Sequence, residues 1–307
     1  METKFQKTLI KPLKFEGVGL HSGKKSCINL IPKPDNHGVV FKRIDVEQNN
    51  LIKACFKNVS SAKLCTTLQN ENGIKVSTVE HLMAALYITG IDNVLIEIDN
   101  EEVPIMDGSA KNFFDELKKE KLKILNSSRK FLKILDEVTF IDGERKLSIE
   151  PNNSLEVNFK LNYKNKIIGD QQNTIDFQND NLKDIIESRT FCLYEDVEKI
   201  KKIGLAKGGS LDNAIVVDHD KVLNERGLRN AKEFVNHKIL DLAGDFLLSG
   251  YRILGKVKCN QGGHEITNLF LKKLMSDKSN YSIVEINDDI FEKKITQFNQ
   301  IKLAATA

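Results

Sequence analysis

One segment in the second half of the chain, LRNAKEFVNHKILDLAGD, carries ionisable residues at helical spacing. At about 100° per residue, His237, Asp241 and Asp245 fall within an arc of about 80° on one helix, and apolar residues fill the far side. An imidazole and a carboxylate four residues apart can both reach one metal ion, and both are ordinary zinc ligands. A solvated His–Asp pair on an exposed helix face produces the same pattern. The HxxxD spacing therefore leaves both interpretations open.

A second histidine follows an acid at the start of another predicted helix, in STVEHLMAALYI. Glu80 has a simple role there as the acid of a capping box with Ser77, and His81 is then merely half-buried. If His81 joins His237 and Asp241, three protein ligands leave one position for water, which is the pattern of a catalytic zinc site. Glu80 then becomes a general base for that water. The residue types alone thus predict at most a mononuclear zinc hydrolase.

The remaining histidines give weaker signals. His264 follows a glycine pair in NQGGHEIT, so it is either a polar residue at a helix start or a catalytic group. His21 sits in GVGLHSG, where the glycines shape a turn, and His37 and His219 sit in polar loops where we expect them to be solvated. The glycine pair of LAKGGSLDNAI lacks the spacing of a phosphate-binding loop.

Composition excludes several other classes of protein. The 307 residues include 46 Lys and Arg against 43 Asp and Glu, and a net charge of +3 is too small to favour nucleic acid. The five scattered cysteines contain no CxxC, which argues against a disulfide framework and a cysteine zinc finger. No apolar run approaches the ~20 residues of a membrane span, and the start has no signal-peptide core. We therefore expect a cytoplasmic protein without stable membrane insertion.

Two similar sets of elements are predicted to position the candidate residues. Residues 5–60 alternate apolar and polar positions between Gly- and Pro-bearing breaks, which predicts strands and hairpins. A helix ending at Gly90 follows, then the strand NVLIEID and a second helix, GSAKNFFDELKKEK. After the polar run LNSSRKF, residues 125–131, several strands precede a long helix from about Leu228 to Leu248 and a further helix after QGGHE.

This order predicts an α+β fold of two similar domains, each with a sheet layer and a helix layer that face each other. The polar run at 125–131 marks the joint. We therefore expect an N-terminal domain at 1–127, a C-terminal domain at 128–275 and a variable tail at 276–307. The end of that tail, FEKKITQFNQIKLAATA, is expected to form a surface helix.

Eight segments, taken together and in order, resemble the signature segments of the UDP-3-O-acyl-N-acetylglucosamine deacetylase family. They are GVGLHSG, SAKLCTTL, STVEHLMAALYITGIDN, VPIMDGSA, SRTFCLYEDVE, GGSLDNAIVVD, LRNAKEFVNHKILDLAGD and GGHEITN, and the resemblance covers residues 3–275. It implies a cytoplasmic zinc metalloamidase that removes an acetyl group in lipid A synthesis of Gram-negative bacteria. It also implies that the two domains pack as a sandwich with the active site between them.

Carried over residue by residue, the resemblance implies one zinc ion, with ferrous iron as the alternative. The implied metal ligands are His81, His237 and Asp241. The resemblance makes Glu80 the general base and His264 the general acid or oxyanion partner, with Asp245 orienting its imidazole. The hydroxyl of Thr190 then helps to hold the oxygen on which negative charge develops.

The resemblance also implies where the substrate binds. The implied contact residues are Lys238, Phe191 and Tyr163. Tyr163 stands where several family members have a phenylalanine that contacts the nucleotide. The segment from Cys192 to Asn213 matches an insert that forms a hydrophobic passage for the acyl chain, with Ile200 and Leu205 in its wall. An ordinary amphipathic helix packed on the sheet is the alternative for this segment.

Two rival functions stay open at this point. One is a different zinc amidohydrolase that uses the same ligands on another acylated sugar or peptide. The other is an inactive sugar-nucleotide-binding protein that keeps the fold, although a binding module has no need for base, ligands and acid together. We expect the partner to be a small acylated UDP-sugar and the chain to be a monomer.

Overall fold

A computed structural model describes residues 4–285 of the chain. The strands of the N-terminal half are β1 (Phe5–Leu9), β2 (Leu13–Val18), β3 (Lys25–Pro32), β4 (Val39–Arg43), β5 (Leu51–Lys53), β6 (Val59–Ser61), β7 (Thr67–Gln69), β8 (Lys75–Val76), β9 (Val94–Ile98) and β10 (Leu122–Ser128). Its helices are α1 (Glu80–Thr89) and α2 (Lys111–Lys119).

The C-terminal half has a second set of strands and helices. Its strands are β11 (Lys130–Ile134), β12 (Val138–Asp142), β13 (Arg145–Pro151), β14 (Leu155–Asn162), β15 (Asp170–Asp176), β16 (Phe191–Leu193), β17 (Ile215–Asp218), β18 (Lys221–Val222), β19 (Arg252–Asn260) and β20 (Tyr281–Glu285). Its helices are α3 (Lys183–Ile186), α4 (Tyr194–Lys202), α5 (Glu233–Leu247) and α6 (His264–Ser276).

The main N-terminal sheet has the strand order β2-β3-β9-β4-β5. Neighbouring strands run antiparallel except β4 and β9, which are parallel. In β3, Ser26, Ile28 and Leu30 are buried, while Cys27 and Asn29 between them are only half-buried. This is the period-two burial of a strand that covers a core on one face. The strands predicted within residues 5–60 are therefore confirmed.

The main C-terminal sheet has seven strands and places β19 at its centre. Its main path is β12-β13-β19-β11-β20, and β14 and β15 continue from β19. A separate three-stranded sheet, β16-β17-β18, lies next to α4. Helix α4 belongs to the segment from Cys192 to Asn213, which we call the inserted segment. Each half thus combines its own sheet with its own helices, which confirms the predicted α+β fold. Among the described residues, no helix combines the length and apolarity needed to span a membrane.

Helices α1 and α5, one from each half, pack directly against each other. All residues of α5 except Lys238 are buried, and α1 is buried from Glu80 to Tyr87. A helix buried on nearly every side belongs to the interior of a protein rather than to its surface. Gly90 ends α1 in the left-handed region, at a φ of 84°, as predicted. The α1–α5 contact brings the two candidate site segments together.

Gly244 permits the close approach of α1 and α5. A Cβ atom built at this position would lie 2.1 Å from the carbonyl oxygen of Glu80. We expect Gly244→Ala to force the helices apart and to lower the free energy of unfolding by about 1–3 kcal/mol, the usual cost of overpacking a core. Because the candidate metal ligands lie on these helices, metal affinity should fall as well. Urea denaturation and metal titration of the variant test this, and wild-type values in both would contradict it.

The predicted capping box at the start of α1 is wrong. The helix begins at Glu80 after Val79, and no side chain among the described residues caps it. Ser77 lies instead in an isolated bridge with Glu102. The Glu80 carboxylate points into the interior, where Oε2 accepts the backbone N–H of Thr66 at 3.1 Å. Tertiary contacts therefore replace the local cap that the sequence pattern predicted.

Helix α5 begins at Glu233 rather than near Leu228. The buried Glu233 carboxylate accepts the backbone N–H groups of Arg229 at 2.6 Å and of Arg189 at 3.1 Å. The Arg189 guanidinium also donates to it at 2.8 Å. These bonds accompany an irregular stretch and a turn at residues 228–232, before the helix. Arg189 is distant in the sequence, so local spacing gave no sign of this start.

The polar run at 125–131 lies mostly in strands. β10 pairs with β1 and β11 pairs with β19 and β20, so the chain passes from one half to the other at Arg129. Pairing with β11 also brings residues 281–285 into the C-terminal sheet. The domain limits after residues 127 and 275 stay predictions. The segment FEKKITQFNQIKLAATA lies outside the described residues.

Candidate metal centre and active site

The three predicted metal ligands meet where α1 and α5 cross. One ligand atom each from His81, His237 and Asp241 lies within 4.8 Å of the others. His81 Nε2 is 3.4 Å from Asp241 Oδ1, and His237 Nε2 is 3.3 Å from Asp241 Oδ2. All three side chains are buried. The alternative of a solvated His–Asp pair on an exposed helix face is therefore wrong.

The chemistry of this triad fits a bound cation. His237 Nδ1 lies 3.2 Å from the carbonyl oxygen of Ser188, and donating to it leaves the Nε2 lone pair facing Asp241. Burial lowers the pKa of His237 to about 3, so its imidazole is neutral, as a metal ligand must be. Within the described part of the chain, Asp241 Oδ1 is buried without a hydrogen-bond partner. Two imidazoles and such a carboxylate form a normal donor set for a divalent metal.

Glu80 and His264 lie beside the triad. His264 Nε2 is 3.7 Å from both Glu80 Oε1 and Asp241 Oδ2, and its Nδ1 is 2.7 Å from Asp245 Oδ2. Burial disfavours the imidazolium, but the carboxylates of Asp245, Glu80 and Asp241 together raise the pKa of His264 to about 9. Burial also raises the pKa of Glu80. A buried carboxylate next to a cationic imidazole is a suitable pair for general base and general acid catalysis.

Lys238, Phe191 and Tyr163 form a connected group at the triad. Lys238 Nζ donates to Asp241 Oδ2 at 2.8 Å and lies 5.6 Å from the centroid of the Phe191 ring. Burial opposes the charge on Lys238, but Asp241 raises its pKa above the usual value, so the ammonium stays charged. The Phe191 ring packs edge-on against Tyr163 and His237, at centroid distances of 5.9 and 6.2 Å. Lys238 and Phe191 therefore contact metal ligands directly, and Tyr163 is joined to them through Phe191.

A largely apolar cavity of about 340 Å³ extends from the residues at this site. Thr190 and Phe191 line it at the site, and α4 contributes Tyr194, Val197 and Ile200. The N-terminal half contributes Leu20, His21 and Leu64. Thr190 is held by its backbone, which donates to the Gly108 carbonyl and accepts from Ile215, both at 2.8 Å. The cavity has room for an apolar chain, and Phe191 joins its wall to His237.

The two residues predicted for the passage wall are placed differently. Ile200 lines the cavity, whereas Leu205 lies outside its lining and donates its N–H to the Ile200 carbonyl at 3.1 Å. No residue of α4 is buried, although the helix is amphipathic. Its apolar side chains Val197 and Ile200 thus face the cavity rather than a filled core.

The sequence did not predict a site position for His21. It is 9% exposed and lines the cavity, and its backbone N–H donates to the buried Glu102 carboxylate at 2.8 Å. The sequence also gave no site position for Thr66, which contacts both Glu80 and Asp245. The one signal for both was their presence in the signature segments GVGLHSG and SAKLCTTL. The His219 side chain is 88% exposed, as expected of a loop residue.

Comparisons with the sequences of known proteins identify the family of the chain. A sequence model of the LpxC family, described as UDP-3-O-acyl N-acetylglycosamine deacetylase, matches residues 6–276. The chain is similar to the UDP-3-O-acyl-N-acetylglucosamine deacetylase of Geotalea uraniireducens, with 40% identity over 283 residues that cover 92% of each chain. It is similar to the enzyme of the same name from Aliivibrio fischeri, with 40% identity over 287 residues, 92% of this chain and 94% of the relative.

A third relative gives the same result at similar coverage. The UDP-3-O-acyl-N-acetylglucosamine deacetylase of Citrifermentans bemidjiense is 38% identical over 288 residues, which is 94% of both chains. The similarity to all three spans the α1 segment, the inserted segment with α4, and the α5 and α6 segments. On this evidence the chain belongs to the LpxC family of UDP-3-O-acyl N-acetylglycosamine deacetylases.

Proposed function

We propose that this chain hydrolyses the N-acetyl group of UDP-3-O-(3-hydroxyacyl)-N-acetylglucosamine and releases acetate, as a step of lipid A biosynthesis. The single observation that carries the proposal is the buried His81–His237–Asp241 triad, with Glu80 and His264 beside it. The names of the relatives agree with this reaction. We further propose that the enzyme acts as a cytoplasmic monomer on this small acylated UDP-sugar, without nucleic acid and without stable membrane insertion.

We propose that the triad holds one zinc ion, with ferrous iron as the alternative. When bound, the metal lowers the pKa of a water molecule and polarises the carbonyl of the substrate amide. The three residues would supply two imidazole nitrogens and one carboxylate, a ligand set typical of catalytic rather than structural zinc sites. The Ser188 carbonyl fixes the His237 ring for this role.

The other side chains carry the proton transfers. Glu80 takes the proton from the attacking water, because its Oε1 faces His264 beside the triad while Oε2 is held by the Thr66 N–H. Cationic His264, oriented by Asp245, donates to the developing oxyanion or to the leaving nitrogen. The Thr190 hydroxyl is a second donor for that oxygen. Acetate and a free 2-amino sugar nucleotide are the products.

The remaining residues recognise the substrate. Lys238 supplies a half-buried cation next to Phe191, which suits the sugar nucleotide. Tyr163 extends this surface through its ring contact with Phe191. The 340 Å³ cavity takes the acyl chain. Ile200 forms part of its wall, and we propose Leu205 as a residue that supports this wall through α4.

A substrate series tests the proposed function. Acetate release is measured from the full acylated UDP-sugar, from UDP-N-acetylglucosamine without the acyl chain, and from the acylated sugar without UDP. We expect the full substrate to react best, since each buried methylene adds up to ~0.8 kcal/mol of binding. If UDP-N-acetylglucosamine turned over as fast as the full substrate, the proposed recognition of the acyl chain would be wrong.

Ile200→Asp tests the acyl passage. A carboxylate in the cavity wall should weaken binding of long acyl chains, because each methylene that leaves the apolar wall forfeits up to ~0.8 kcal/mol. We expect kcat/KM for a long-chain substrate to fall by at least an order of magnitude more than for a short-chain one. The matched control is Ile203→Asp, because Ile203 is 60% exposed and outside the cavity lining. Equal losses for both chain lengths would show that α4 is only scaffold.

A further inference from the structure

Thr66 lies between the proposed base and the residue that orients His264. Its backbone N–H donates to Glu80 Oε2 at 3.1 Å, and its hydroxyl donates to Asp245 Oδ1 at 2.7 Å. Thr66 is only 2% exposed, so bulk water cannot replace these bonds. Thr66 therefore binds two of the three carboxylates that face the imidazole of His264, and Asp241 is the third.

The two bonds from Thr66 determine which carboxylate oxygens remain for His264. With Oε2 held, Glu80 Oε1 lies 3.7 Å from His264 Nε2. With Oδ1 held, Asp245 Oδ2 lies 2.7 Å from His264 Nδ1. An ionised carboxylate has only acceptor oxygens, so each needs a donor when it is buried. Thr66 supplies one donor to each and keeps the two like charges in fixed orientations.

Loss of the Thr66 hydroxyl should affect turnover rather than binding. Asp245 Oδ1 would lose its donor, and its carboxylate could rotate about the Cβ–Cγ bond. His264 would then lose the fixed orientation that proton donation needs. The hydrogen bonds from Thr66 to side chains go to catalytic groups rather than to Lys238 or to another residue of the substrate surface.

We propose that Thr66 is a positioning residue for deacetylation, which orients His264 through Asp245 and holds Glu80 through its backbone N–H. This inference rests on the proposed function. The hydroxyl and the N–H are separable, because side-chain substitutions remove the first and leave the second in place. The hydroxyl contribution can therefore be measured alone.

Thr66→Val removes the hydroxyl at nearly constant volume. We expect kcat to fall by about 10–100-fold, the usual effect of losing a residue that orients a catalytic group, while KM and metal content stay close to wild type. Thr66→Ser should restore kcat to within about threefold, because it restores the donor to Asp245. Thr67→Val is the matched control, since the Thr67 hydroxyl contacts only Cys65 Sγ, at 3.9 Å, within the described structure. Its kcat should remain near wild type.

A double-mutant cycle with Asp245→Ala tests whether Thr66 acts through Asp245. If it does, Thr66→Val should lower kcat by less than about threefold in the Asp245→Ala background. The inference would be overturned if the losses of kcat from Thr66→Val and Asp245→Ala multiplied in the double variant. It would also be overturned if Thr66→Val lost its metal, or if Thr66→Ser did not restore kcat. A Thr66→Val enzyme with wild-type kcat would overturn it as well.

Glu80→Gln, measured in the same assay, separates this inference from the proposed function. If Glu80→Gln abolishes turnover while Thr66→Val leaves it unchanged, only the role of Thr66 is wrong. If Glu80→Gln turns over normally, the proposed catalytic scheme fails, and the inference fails with it.

Discussion

Glu80→Gln should fold normally, keep its metal and lose turnover by about 10²–10⁴-fold, the range for removal of a general base. An amide oxygen can still accept the Thr66 N–H that now binds Glu80 Oε2. The amide cannot accept a proton from water at neutral pH. The substitution therefore removes the chemistry of Glu80 and keeps its main structural contact.

The competing interpretation of Glu80 is purely structural, and it predicts the reverse result. A residue needed only for its contact with Thr66 would tolerate glutamine, with near-normal turnover. Thermal melting, metal content and the initial rate of acetate release, measured on one preparation, decide between the two. A rate within threefold of wild type would contradict the assignment of Glu80 as the base.

His237→Ala should lose both the metal and the activity. One of three ligands disappears, and the Asp241 carboxylate keeps only His81 as a ligand partner in the triad. We expect metal content to fall from about one ion per chain to far below that, and turnover to fall by at least about 10³-fold, because metal-assisted hydrolysis depends on the intact site. Metal content is measured by elemental analysis, after mild chelation and then titration with zinc.

His219→Asn is the matched control for the loss of an imidazole. His219 is 88% exposed at its side chain and has a φ of 48°, a backbone conformation that asparagine accepts readily. Metal content and turnover of this variant should equal those of wild type. Stoichiometric zinc in His237→Ala together with normal turnover would show that the ligand assignment is wrong.

The sequence predicted the two helices of the site but not their crossing. Spacing placed His237, Asp241 and Asp245 on one side of α5, and this is how the structure has them. The spacing of residues in the sequence could not predict the distance between α5 and His81, because that distance depends on how the N-terminal and C-terminal halves pack together. Gly244 makes the approach possible, and an isolated glycine in a helical pattern does not show which backbone lies against it.

The errors at the helix starts have one physical cause. Ser77 and Glu80 have the spacing of a capping box, but Glu80 is bound by Thr66 and Ser77 pairs with Glu102 instead. Helix α5 likewise begins later in the sequence than predicted, because Glu233 binds Arg189 from a distant part of the chain. Buried charges take their partners from the tertiary structure, and local patterns cannot identify those partners.

The inserted segment illustrates a different limit of sequence reasoning. Its apolar residues predict an amphipathic helix, which α4 confirms, but periodicity does not show whether the apolar face meets a filled core or an open cavity. The structure shows that Ile200 lines the cavity and that Leu205 does not. The resemblance to a known family supplied the passage as an expectation, and the cavity now supports it as a proposal.

The most direct test of the proposed function uses the acylated UDP-sugar with a ¹³C label in its N-acetyl group. The products are followed by NMR in the presence of the metal-loaded enzyme. We predict labelled acetate and a free 2-amino group in equal amounts, with the 3-O-acyl ester intact. With Glu80→Gln, the rate of acetate release should be about 10²–10⁴-fold lower. Release of the fatty acid instead, or no labelled acetate from the wild-type enzyme, would contradict the proposed deacetylase function.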